Sequence, residues 1–145
     1  MKKLITIFCL VALVLSLFSC ARPEPLKEED VKPFLEEYLK NLEEENYEAL
    51  KETSDFYEEY LKLGFLRLED ETGLDFQSGI EIVEYKEFDG YIIESYYGIP
   101  LCSFLLQANI GGKSAELEIQ IVCDEGEYKT VDIYVTIDGV LYGIS

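Results

Sequence analysis

The chain contains no histidine, no tryptophan and a single methionine among 145 residues, and only 12 lysines and arginines stand against 30 aspartates and glutamates. Each shortage excludes something. Without histidine there is no imidazole base, no imidazole metal ligand and no Ser–His or Cys–His nucleophile pair. Four cysteines, none in a paired Cys-x-x-Cys spacing, do not make a structural zinc site. With a net charge of −18 the chain lacks the cations that neutralise phosphates, which argues against nucleic acid as a partner. The one glycine pair, Gly111-Gly112, sits between strand-like segments and does not open a helix, so no phosphate-cradling loop is expected. Nothing in the composition calls for a cofactor, and none is expected.

Long apolar runs are also missing, except at the start. Lys2 and Lys3 precede an apolar stretch from Leu4 to Phe18, followed by Ser19 and Cys20. This is the order of a secretory leader. Its 15 residues would span about 22 Å as a helix, short of the ~30 Å hydrocarbon core, which disfavours a transmembrane anchor. Leu17-Phe18-Ser19-Cys20 resembles the lipobox of bacterial lipoproteins, with Phe18 larger than is usual at its position. The resemblance implies cleavage between Ser19 and Cys20 and acylation of the Cys20 thiol. The chain would then be held by lipid on the extracytoplasmic face of a cell membrane or outer membrane. A second reading is ordinary cleavage after Ala21, since Ser19-Cys20-Ala21 also carries small residues.

Removing residues 1–19 takes away Lys2 and Lys3 and leaves ten cations against 30 anions, a net −20 over 126 residues. That length suits one domain with a real core. The expected division is a leader over 1–19, a lipidated tether over 20–29 containing Pro23 and Pro25, and a single domain over 30–145. Such an acidic domain is soluble and repelled by anionic lipid, so its membrane contact would be the anchor alone.

Val31, Phe34, Leu35, Tyr38, Leu39 and Leu42 recur at spacings of three and four and predict an amphipathic helix, with Asp30 as its N-cap and Pro33 in the first turn. Asn46 is expected to cap a second, short helix. Asp55 and Glu58 resemble a capping box for a third, which is expected to stop at Gly64. Past Asp75 the period falls to two. Ile80–Phe88 and Tyr91–Tyr97 read as strands joined at Asp89-Gly90. Then come Leu101–Ile110, with Cys102, Phe104, Leu106, Ala108 and Ile110 on one face, and a segment with Leu117, Ile119, Ile121 and Cys123 on one face. A last segment alternates Val131, Ile133, Val135 and Ile137 with Thr130, Asp132, Tyr134 and Thr136. Helices followed by a strand meander predict an α+β fold, with N-terminal amphipathic helices on a curved antiparallel sheet of about four to five strands.

This pattern, together with Glu45-Asn46-Tyr47-Glu48-Ala49-Leu50 and the closing Ile137-Asp138-Gly139-Val140, resembles the nuclear-transport-factor-2-like superfamily. That resemblance implies a cystatin-like fold curled around its first helix. Enzymes of this superfamily place Asp and Tyr in a conical cavity; Tyr38 lies on the helix stripe, but the apolar faces of the last three strands carry no carboxylate to partner it. No catalytic residue and no metal ligand is therefore assigned. The acidic run Glu69–Asp75 lacks the Asp/Asn spacing of an EF-hand loop and reads as a solvated loop, and Glu43-Glu44-Glu45 as the wet end of a helix.

With Cys20 acylated, Cys102 and Cys123 are the pair left in an oxidising compartment, and a disulfide between them is expected. If Gly112-Lys113 forms the turn between their strands, paired positions sum to 225 and the two cysteines stand directly opposite, within bridging distance. If Gly111-Gly112 forms it, the sum is 223 and they are diagonal neighbours; two buried free thiols are the alternative state. The expectation that emerges is a lipid-anchored, non-enzymatic binding or interaction module. Its partner is expected to be an extracytoplasmic protein or a small apolar ligand. A small cavity enzyme using Tyr/Asp acid–base chemistry, or an acidic inhibitor or immunity-type protein, are the alternatives.

Overall fold

In a computed structural model, residues 23–94 and 98–144 are described; the leader, Ser19 and Cys20 lie outside them. Three helices, α1 (Glu28–Glu43), α2 (Tyr47–Glu52) and α3 (Glu58–Thr72), and a 3-10 turn at Phe76–Ser78 precede five strands. These are β1 (Ile80–Ile93), β2 (Ile99–Ile110), β3 (Lys113–Asp124), β4 (Glu127–Ile137) and β5 (Val140–Ile144), paired in sequence order as one antiparallel sheet. The fold is α+β, with the helices packed against the sheet.

The stripe on α1 is the core-facing surface: Val31, Leu35, Tyr38, Leu39 and Leu42 are all buried. They pack with Phe104, Leu106, Leu117, Ile119, Ile133 and Val135 of the middle strands. The helix begins earlier than Asp30. Lys27 stands at its N-cap without a side-chain bond, and Glu28, Glu29 and Asp30 occupy the first turn, where carboxylates favour the helix dipole. Pro33 consequently lies inside the helix. Tyr85 ties α1 to β1, its hydroxyl donating to Glu36 at 3.1 Å while Lys32 Nζ sits 3.8 Å above its ring. Glu43 is not simply a solvated end, because its carboxylate accepts the N–H of Ile80 and fixes the start of β1.

Asn46 caps α2 as expected, accepting from Ala49 N at 3.3 Å. The third helix departs from expectation at both ends. It starts at Glu58 with Tyr57 at the N-cap, so Asp55 caps nothing, and it runs through Gly64 to a left-handed Gly73 (φ 65°). Gly64 is a packing glycine: a β-carbon there would stand 2.7 Å from Cγ2 of Ile144. The acidic run Glu69–Asp75 is accordingly the last turn of α3 plus the cap of the 3-10 turn, where Asp75 accepts from Ser78 N at 3.1 Å.

Asp89-Gly90 is not a hairpin turn. β1 runs straight through it, with Asp89 opposite Ser103 and Gly90 opposite Cys102. The glycine serves a close approach instead, since a β-carbon would collide with the backbone carbonyl of Leu26, whose side chain packs on the core. Two register shifts in β1, at Val83 and Lys86, let Ile82, Tyr85 and Phe88 share the core side despite their odd spacing. A third shift, on β4, reverses part of the expected alternation: Thr130 is buried and Val131 only half-buried.

Candidate functional site

Among the described residues, the interior between helices and sheet holds one phenol. Tyr38 is there, 1 % exposed, its hydroxyl 3.0 Å from Ser54 Oγ. Ser54 is held by backbone bonds that join residues 53–55 to β4: Thr130 N donates to Thr53 O, and Asp55 N donates to Thr130 O, each at 2.9 Å. The β4 bulge turns the Thr130 side chain inward. Its Oγ1 lies beside the same phenol but makes no hydrogen bond. Burial pushes the Tyr38 phenol up to about 12, against a smaller opposing effect of the Ser54 and Thr130 hydroxyls. A neutral phenol sealed at that value neither gives nor takes a proton near neutrality. Among the described residues Ser54 and Thr130 are the only other buried polar side chains, so no carboxylate faces Tyr38. The cluster pins the α2–α3 connection to the sheet.

The cysteines lie elsewhere on the sheet. The two-residue turn is Gly111-Gly112 (φ 56° and 81°), both in the left-handed region that glycine adopts freely. Paired positions therefore sum to 223, and the register of 225 is corrected: Cys102 faces Ile121, and Cys123 pairs with Tyr128 on β4. That removes the directly opposed geometry on which a bridge rested, and both thiols are free in this structure. Burial raises the Cys102 thiol to about 12, which makes it a small core hydrophobe and not a nucleophile.

Several grooves open on the outside of the described residues. On the sheet face away from the core, Glu87, Asp89, Ser103, Glu118 and Gln120 border an acidic recess of about 290 Å³. Glu118 accepts from Ser103 Oγ (3.2 Å) and Gln120 Nε2 (3.3 Å). Nearby, partial burial and then the Glu118 charge raise the Asp132 carboxyl. Among the described residues no cluster of three or more acidic or cysteine side chains is arranged to hold a metal ion.

The larger groove, about 460 Å³, runs between α3 and β5. It is lined by Tyr60, Leu63, Gly64 and Arg67 on one side and Leu141 to Ile144 on the other. Leu63 and Leu141 are each 63 % exposed. Sequence reasoning missed this seam because it ended α3 at Gly64. The apolar residues at 57, 60 and 63, one helical turn apart, were the signal available for an outward apolar stripe.

No family model, no curated protein and no solved structure matches the chain. No helix of the described residues is long and apolar enough to cross a membrane.

Proposed function

We propose that the protein is a lipid-anchored, extracytoplasmic binding module without catalytic activity, built on a cystatin-like variant of the α+β fold. The observation that carries the binding reading is the contrast between a sealed interior and an open seam. Tyr38, the one candidate acid or base on the inner helix face, is buried against two hydroxyls with no carboxylate beside it. The exposed apolar groove lies outside, between α3 and β5. A first helix laid across a meander supports the cystatin-like reading, and with it the resemblance to the nuclear-transport-factor-2-like superfamily. The anchor rests on Leu17-Phe18-Ser19-Cys20. Two or more acyl chains there make membrane attachment stable.

The experiment is metabolic labelling with a palmitate analogue and membrane fractionation of the wild type and Cys20→Ala. The wild type takes up label and sediments with membranes, whereas Cys20→Ala does neither. A Cys20→Ala chain that stays membrane-bound with its leader uncut overturns the anchor. Turnover of an ester or enone substrate by the wild type, lost in Tyr38→Phe, overturns the non-catalytic reading.

A further inference from the structure

We propose that the α3–β5 seam is a homotypic interface: two copies of the chain pair their β5 edges antiparallel across a two-fold axis and extend the five-stranded sheet into one of ten. The proposal deepens the binding reading by naming the partner.

The distribution of exposed apolar surface points first to this face. Eight large apolar side chains are exposed among the described residues, and six of them, Tyr57, Tyr60, Leu63, Leu66, Val140 and Leu141, lie on β5 or on α3 and its cap. A fully exposed tyrosine offers about 200 Å², so Tyr60, Leu63 and Leu141, the three of these that line the groove, present on the order of 300 Å². That is the scale of the largest apolar patch on an ordinary monomer, roughly 300–600 Å² and often functional.

The second argument is the edge itself. The sheet has two edge strands, β1 and β5. β1 is shifted in register twice and carries Glu81, Glu84, Lys86, Glu87 and Asp89, the devices that discourage edge pairing. β5, Val140-Leu141-Tyr142-Gly143-Ile144, has no charge, no proline and no register shift. Asp138 and Gly139 (φ 52° and 77°) form a two-residue turn closed by Ile137 and Val140. Alternation along the ladder then turns Val140, Tyr142 and Ile144 toward β4 and leaves the N–H and C=O groups of Leu141 and Gly143 facing outward. Those two residues are self-complementary. Placed antiparallel, Leu141 of one copy meets Gly143 of the other, and Gly143 meets Leu141. All four outward groups on each copy are then paired, and the leucine side chain meets the Tyr134 ring that packs over Gly143 of the other copy.

Local charge leaves β5 open to a second copy. The chain carries −18 overall, but Arg67 and Glu71 on the seam neutralise each other at 2.7 Å. A basic partner is drawn instead to the acidic recess of Glu87, Asp89 and Glu118. Like-charged copies approach most easily at an uncharged strand, and added salt screens their remaining repulsion.

The test is sedimentation equilibrium of the chain as its producing cell processes it, extracted in mild detergent at matched density, from low micromolar to submillimolar concentration and at low and high salt. The expected result is a monomer–dimer equilibrium that tightens with salt. Leu141→Lys and, independently, Leu63→Lys should each raise the dissociation constant at least tenfold, since each change occurs twice in the interface. Val83→Lys, at an exposed apolar residue on β1, should leave it unchanged. Circular dichroism shows whether each variant is folded, and Leu63→Lys decides the matter if Leu141→Lys is not. A wild type that remains a single protomer throughout overturns the proposal. So does a dimer indifferent to both substitutions, one that loosens with salt, or a folded protomer that binds a foreign peptide at the seam while never self-associating. Repeating the series on Cys20→Ala separates this outcome from the anchor, because the soluble variant dimerises whether or not lipid holds the wild type.

Discussion

The two surfaces that helices make with this sheet are built from the same kinds of residue and end in opposite states. Where α1 crosses the middle strands, the stripe is buried apart from the half-buried Phe34, and the single phenol has a partner at 3.0 Å. Where α3 passes β5, Gly64 packs against the Ile144 side chain, and Leu63 and Leu141 stay in solvent. The difference is one of length and periodicity. α1 offers a stripe of four turns to strands of eleven and twelve residues, whereas α3 meets a strand of five residues and carries apolar side chains on two faces. A helix with two apolar faces can bury only one against a single sheet, so the other is left for a partner.

Breaking the closed surface gives the largest effect. Leu39→Asp puts an unpaired carboxylate into the core at a position that is 5 % exposed. A loss of about 4 kcal/mol or more is expected, read as a fall in the urea midpoint. Gly64→Val comes next. Its branched side chain drives α3 away from Ile144 at a close contact of the seam, and about 2 kcal/mol of overpacking cost is expected in the same measurement. Tyr38→Phe is smaller, about 1–2 kcal/mol, because it removes one buried hydrogen bond and leaves Ser54 without its phenol partner. If Gly64→Val costs nothing, the seam is looser than described. If Leu39→Asp costs nothing, the two surfaces do not differ.

What the sequence made legible follows the same division. Period 3.6 in α1 and period 2 in β2 and β3 identified the buried faces, because one side of each element meets solvent and the other does not. Local turn chemistry was a poorer guide. Asp89-Gly90 has the composition of a hairpin turn, but its glycine answers to the passing Leu26 carbonyl, a contact 64 residues away in sequence. Gly64 reads as a helix stop and is kept small by Ile144, 80 residues on. The β4 bulge that turns Thr130 inward leaves no mark in the alternation of residues 130–137. In each case a long-range contact overrode a local preference, and the polar cluster around Tyr38 depends on one of them.

The central claim is that the interior is sealed around Tyr38, which leaves the outside of the fold to carry function. It is tested most directly by pH titration of the protein labelled at the tyrosine ζ-carbon and followed by NMR, with Tyr38→Phe assigning the resonance. A phenol held neutral by burial up to about 12, against about 10 in the unfolded chain, contributes stability that is fully present below pH 10. That contribution is lost as the pH rises toward 12, because the unfolded chain gives up the proton first. The account predicts that the Tyr38 resonance stays at its neutral position through pH 10 and changes only near 12 or when the chain unfolds, and that Tyr38→Phe flattens the alkaline loss of stability. A Tyr38 resonance that titrates near 10 or below in the folded protein would contradict it, and would return the interior to consideration as an active site.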